Sequence, residues 1–251
     1  MDDINIQKLF YHPICNSREI ERIFSVRNGK DYLLKLRADT IVDHMRLFRV
    51  YRNKALIDEK RWSLEKSFYS SHFKSFLRYL HEEPKAKCLE TTFGNIFSNE
   101  PNGLIFKTEY GPIITISESL LFFLKFSHLA LFAFQSDVPN NVRINALRIA
   151  IRVMLKTETL DFLMDPRGIV PNDIAKAIHA PIPNQLEFIA GHEFAHFILG
   201  HLSDVNIISK PIYFAISPRD SDYKPMKVYN YSQKEEFEAD IQAILLPQYN
   251  N

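Results

Sequence analysis

At 251 residues and 46% hydrophobic content, the chain is long enough to bury a substantial core, as one large domain or two closely joined ones. Its 31 Lys and Arg nearly balance 30 Asp and Glu, for a net charge of +1, so no global basic field points to nucleic acid. Cys15 and Cys88 are the only cysteines; they form no metal-type or redox-type spacing, are too few for a disulfide framework, and read as reduced thiols.

The opening "MDDINIQKLF" has neither the basic n-region nor the long apolar h-region of a secretory signal, and a cytoplasmic location is the expectation. "RIFSVRNGKDYLLKLRAD" reads as a β-hairpin turning at Asn28-Gly29, where positive φ angles are needed. Residues 41 to 83 carry Lys, Arg, Tyr and Phe at helical spacing and end near Pro84. Basic and aromatic residues interleave in "SFYSSHFKSFLRYLHEE", but Asp58, Glu59, Glu65, Glu82 and Glu83 dilute the charge, which favours an amphipathic helix over a nucleic-acid surface.

"GLIFKTEYGPIITIS" predicts a second hairpin turning near Gly111-Pro112 and, by analogy, a sheet edge that can hold an extended chain. The apolar run from Ile116 to Phe134 is broken by Glu118, Lys125 and His128. Each is costly near a bilayer centre, so a buried helix after a strand is expected and no membrane span. Residues 1–100 are read as an N-terminal α/β region of unknown role and 101–251 as the domain that carries the motifs that follow, the whole being α+β with a mostly helical core in the second part and small antiparallel hairpins.

The chemistry concentrates in "QLEFIAGHEFAHFILGHL", residues 185 to 202. A helix over 185–199 is predicted, with Asn184 as N-cap, Glu187 completing a capping box and Gly200 at the C-terminal cap. His192 and His196 are four apart and share one face, with Glu193 beside them. This is the H-E-x-x-H arrangement, in which two neutral imidazoles hold zinc and the carboxylate acts as general base. Three ionisable groups in an apolar helix need satisfying together, which weighs against an ordinary core segment. The extended form H-E-x-x-H-x-x-G-x-x-H is excluded by Leu199 and Leu202. His201, nine residues past His192, falls on the opposite side of a continuous helix and is read as a helix-end residue near the last carbonyls.

A catalytic zinc needs a third protein ligand. "SQKEEFEADIQAILL" offers a capping box from Ser232 to Glu235, an apolar face of Phe237, Ile241, Ile244 and Leu245, and two acids, Glu236 and Asp240, four apart. Glu236 suits the ligand role, and Asp240, one turn on, suits holding a ligand imidazole in its tautomer. Low-ranking candidates for stabilising developing negative charge are Tyr213, Tyr223, Tyr229, Tyr231 and His179, and Arg219 could pair with a substrate carboxylate.

"HEFAH" with "EFEAD" resembles the gluzincin metallopeptidases, whose pattern is HExxH on one helix and ExxxD on another. The resemblance implies a zincin-like fold, one zinc ion per chain on His192, His196 and Glu236, Glu193 as base, and Asp240 orienting a ligand. "EEFEAD" and the helix rich in aromatics upstream also look like the phage-exclusion Lit peptidases, which implies a protein or peptide substrate inside the cell and a role in phage defence or stress response. Two other readings remain open. One is a regulatory peptidase similar to the ImmA/IrrE proteins, which cut a repressor and usually carry E-x-E-A-N where this chain has "EFEAD". The other is a non-catalytic domain in which zinc staples two helices.

Overall fold

The structure, a computed structural model, describes residues 3–132, 138–213 and 223–247. Helices come first: α1 (Asp3–Leu9), α2 (Ser17–Phe24), α3 (Gly29–Asp43), α4 (Met45–Ile57), α5 (Ser71–Arg78) and α6 (Glu82–Leu89). The hairpin expected at Asn28-Gly29 is instead the start of α3. The Asn28 side chain accepts from the Asp31 backbone N–H at 3.0 Å, an N-cap with an acid in the first turn. Gly29 is there for room rather than for a positive φ, because a Cβ on it would lie 2.4 Å from Thr92 Oγ1. Pro84 likewise does not end a helix but sits in the first turn of α6, where its missing N–H leaves no bond unmade.

β1 (Thr92–Ile96), β2 (Gly103–Thr108) and β3 (Gly111–Ser117) follow, then α7 (Glu118–Leu131), α8 (Asn140–Met154), α9 (Asn172–His179) and α10 (Ile182–Leu199), and finally β4 (Ile207–Tyr213), β5 (Tyr223–Tyr229) and α11 (Gln233–Leu245). The strands make one mixed sheet in the order β1-β3-β2-β5-β4, parallel at β1–β3 and antiparallel elsewhere. The architecture is α+β. Because β1 pairs with β3, residues on both sides of position 101 share this sheet.

The β2–β3 hairpin forms as its sequence predicts, closing at Thr108↔Gly111 with Gly111 at φ 93°. It is not a sheet edge, however. β3 is flanked by β1 and β2, and β2 meets β5 at Phe106↔Val228, which leaves β1 and β4 outermost. The period of two in a strand sends neighbouring residues to opposite faces. Ile105, Ile114 and Ile116 pack with Phe194 of α10, while Phe106 and Ile113 pack with Leu33 and Leu36 of α3. A sheet covered on both faces explains why β3 is buried at every residue from Ile113 to Ser117.

α7 follows β3 directly, capped by Ser117, as the buried-helix reading expects. Among the described residues no helix is long and apolar enough to cross a membrane. The apolar face of α11 points outward: Phe237, Ile241, Ile244 and Leu245 are all more than half exposed. At 100° per residue, Glu236, Ala239, Asp240 and Ala243 form a separate stripe. Ala239 and Ala243 are the buried residues of the helix, and this small-residue stripe lies against α10 and carries both acids towards it.

Candidate metal centre

The back of α10 is fixed by aromatic packing. A Cβ at Gly191 would lie 2.5 Å from the Phe76 ring, so only glycine lets α5 approach there. Phe194 stacks on Phe76 with ring centres 5.8 Å apart and meets Phe93 edge-on at 5.4 Å. The helix starts at Ile182 with no side-chain cap, and Pro183 in its first turn. Asn184 and Glu187 therefore lie inside it rather than forming the expected capping box. At the other end Gly200 has φ 78°, the left-handed cap the sequence suggests.

The front of α10 presents His192 and His196, and α11 brings Glu236 to them. His192 Nε2 lies 3.1 Å from His196 Nε2 and 3.1 Å from Glu236 Oε2, and His196 Nε2 lies 3.8 Å from the same oxygen. Ligands at about 2.0–2.1 Å from a tetrahedral zinc stand about 3.3 Å apart, so the three donors have the spacing of one face of that tetrahedron. Among the described residues they are the one group of His, Cys, Asp and Glu side chains with such convergence.

Hydrogen bonding behind the donors fits the same role. His192 Nδ1 is 2.9 Å from Asp240 Oδ1. His196 Nδ1 is 3.0 Å from His201 Nδ1, and His201 Nε2 is 3.3 Å from Glu238 Oε2. For three neutral imidazoles, each outer acceptor takes an N–H: Asp240 from His192, Glu238 from His201, and His201 Nδ1 from His196. That assignment leaves the Nε2 lone pairs of His192 and His196 and a carboxylate oxygen pointing at one another, an arrangement that a cation relieves. Burial, with His192 and His201 adjacent, lowers the His196 imidazolium to about 3, which keeps that ring neutral.

Glu193 is buried and makes no hydrogen bond among the described residues. Burial, then the nearby Glu236, raises its carboxyl to about 8; a divalent cation at the donors acts in the opposite direction. β2 runs against it so closely that a Cβ on Gly103 would lie 2.3 Å from Glu193 Oε1. Tyr231 lies flat on His196, with ring centres 3.5 Å apart and planes 10° from parallel. Its hydroxyl is buried without a hydrogen-bond partner among the described residues. Burial first, then Glu193 and Glu236, raise its pKa and hold it as a neutral donor. A cleft of about 160 Å³ opens here, lined by Asn102, Gly103, Lys210, Tyr229 and Tyr231 as well as the donor helices.

The fold thus gathers His192, Glu193, His196, Glu236, Asp240, Tyr229 and Tyr231. His179 ends α9 and has Lys125 and His128 as its ionisable neighbours, not the donor set. Tyr223 pairs with Tyr213 across β4 and β5, about 20 Å along the strand from Tyr229; the side chains of both, and all of Arg219, lie outside the described residues. Sequence reasoning missed His201 and Glu238. The signal was Gly200, since a left-handed cap reverses the chain and the helical wheel no longer applies beyond it. The His201 N–H returns to the His196 carbonyl at 3.0 Å. Compared with protein-family models, with curated proteins and with solved structures, the chain matches none.

Proposed function

We propose that this protein is a zinc-dependent endopeptidase of the gluzincin type, with a zincin-like catalytic core, acting on a protein or peptide inside the cell. What supports the reading is the convergence of two imidazole nitrogens and one carboxylate oxygen at 3.1–3.8 Å. Their outer nitrogens are already committed to Asp240 and His201. A zinc ion held by His192, His196 and Glu236 supplies Lewis acidity for attack by water on a carbonyl.

The other parts of the reaction fall to this chain's own groups. Glu193 takes the proton of the attacking water and passes it to the leaving amine, a role for a carboxylate beside the metal ligands but not among them. The unpartnered Tyr231 hydroxyl donates to the carbonyl oxygen as it gains negative charge. The cleft lined by β2, β5, β4 and the donor helices receives the substrate backbone. A zinc staple that only joins two helices makes no use of a buried, unbonded Glu193 or of the Tyr231 hydroxyl.

The test is metal content by elemental mass spectrometry on wild type, Glu193→Gln and Glu236→Ala. One zinc per chain in the first two and little in the third is expected, with hydrolysis lost in Glu193→Gln. Wild type that neither carries nor takes up zinc would sink the reading.

A further inference from the structure

A second pocket, of about 460 Å³, lies between α3, the segment from Glu65 to Lys74, and the start of β1. Arg37 of α3 forms part of its wall and is 5% exposed. Its Nε donates to the Asn95 carbonyl at 2.7 Å and its guanidinium lies 4.2 Å from the centre of the Phe68 ring. Gly94 leaves room for the head group, since a Cβ there would lie 2.4 Å from Nη2. Among the described residues neither Nη1 nor Nη2 donates a hydrogen bond, and no carboxylate comes within ion-pair distance.

The four N–H groups on Nη1 and Nη2 are thus left without a protein acceptor beside the pocket, where a ligand can supply one. The acid in the pocket wall, Glu65, is already held by both terminal nitrogens of Arg22, at 2.8 and 3.1 Å. Lys30, Lys66 and Lys74 stand exposed around the pocket. Thr91, buried at 6%, and Thr92 bring hydroxyls that have no hydrogen-bond partner among the described residues. Burial lowers Arg37 to about 10, with Glu118 and Glu65 opposing from a distance, so it is charged at neutral pH.

We infer that this pocket binds a phosphorylated small molecule, its phosphate seated on the Arg37 guanidinium and neutralised by Lys30, Lys66 and Lys74. A single carboxylate would match the arginine fork but leave three lysines uncompensated. A phosphate carries up to two charges and three acceptor oxygens, and suits both the fork and the hydroxyls. The volume admits a ligand of nucleotide size.

Calorimetric titration of the full chain with pyrophosphate and with ADP tests this. Saturable binding is expected, weakened about tenfold or more in Arg37→Gln and in Lys30→Ala/Lys74→Ala. The lysine pair is exposed, so that variant decides the matter if Arg37→Gln does not fold. Tighter binding of ADP than of pyrophosphate identifies an organic ligand, and equal binding an inorganic one; both support the site. Absence of saturation at about 10 mM, or affinity unchanged in the folded variants, overturns it. Binding that disappears in His192→Ala places the phosphate on the metal centre and overturns it equally. Because the inference does not rest on the peptidase reading, loss of zinc leaves it standing.

Discussion

Nδ1 of His201 lies 3.0 Å from Nδ1 of His196, and the far side of the His201 ring faces Glu238 at 3.3 Å. The His196 ring is thus held from behind, as Asp240 holds His192. Outer partners of this kind are worth about 10–100-fold in metal affinity. His201→Leu is therefore expected to weaken zinc binding by about that factor in competition with a chromogenic chelator. His201→Gln, which keeps an acceptor for His196 and a donor for Glu238, should recover much of it. Equal affinity in both variants and wild type would reduce His201 to packing, while zinc binding that survives His192→Ala would instead discredit the centre itself.

Gly103 makes a different prediction, because it separates metal from base. Its added Cβ would lie 2.3 Å from Glu193 Oε1 and 2.8 Å from Cδ, so alanine must displace the carboxylate or the strand. A displacement of about 1 Å costs on the order of a hundredfold in rate. Gly103→Ala should keep its zinc, since the three atoms nearest the added Cβ all belong to Glu193 and none to a donor, and lose turnover on a substrate captured with Glu193→Gln. Loss of zinc together with turnover would show that β2 supports the donors and not the base alone.

These two residues mark how far the sequence could be read. The HExxH spacing, the Ser232 capping box and the Glu236/Asp240 pair were legible because helical periodicity fixes which side chains share a face over three or four residues. His201 was not, because Gly200 ends that periodicity. Gly103 was not, because its neighbour Glu193 is 90 residues away and only the sheet brings them together. Asn28-Gly29 misled because asparagine before glycine serves a type I′ turn and an N-cap alike. The sequence shows the apolar face of α11 but not where it points; the alanine stripe, which permits close approach to α10, sets the rotation of the helix.

Tyr231 sets stability against activity. A buried hydroxyl without a partner costs about 1–3 kcal/mol, and its ring stacks on His196 in a way phenylalanine can reproduce. Tyr231→Phe is expected to keep zinc and raise the melting temperature by a few degrees, about 2–4 °C per kcal/mol for a chain of this size. Turnover should fall by about 10²-fold, as on loss of one donor to a developing oxyanion. A variant that is no more stable, with turnover unchanged, would remove the hydroxyl from both arguments.

His72 supplies a pH dependence remote from the metal donors. It is 2% exposed, packs against Phe73 with ring centres 4.4 Å apart, and among the described residues its ring nitrogens make no well-formed hydrogen bond, the Asn95 side chain being their polar neighbour. Burial, opposed by the smaller effect of the Asn95 side chain, lowers its pKa from 6.5 to about 4. The unfolded chain then takes up a proton before the folded one does. The His72 contribution is complete above about pH 6.5, is lost as pH falls towards 4, and does not change further below that. Between pH 7 and pH 5 the loss amounts to about 2 kcal/mol. Urea unfolding of wild type and His72→Phe at both pH values isolates it, since contributions from the other histidines cancel in the difference. The variant should lose about 2 kcal/mol less than wild type over that interval. Equal losses would mean that the folded state gives the protonated His72 ring a partner or a path to water.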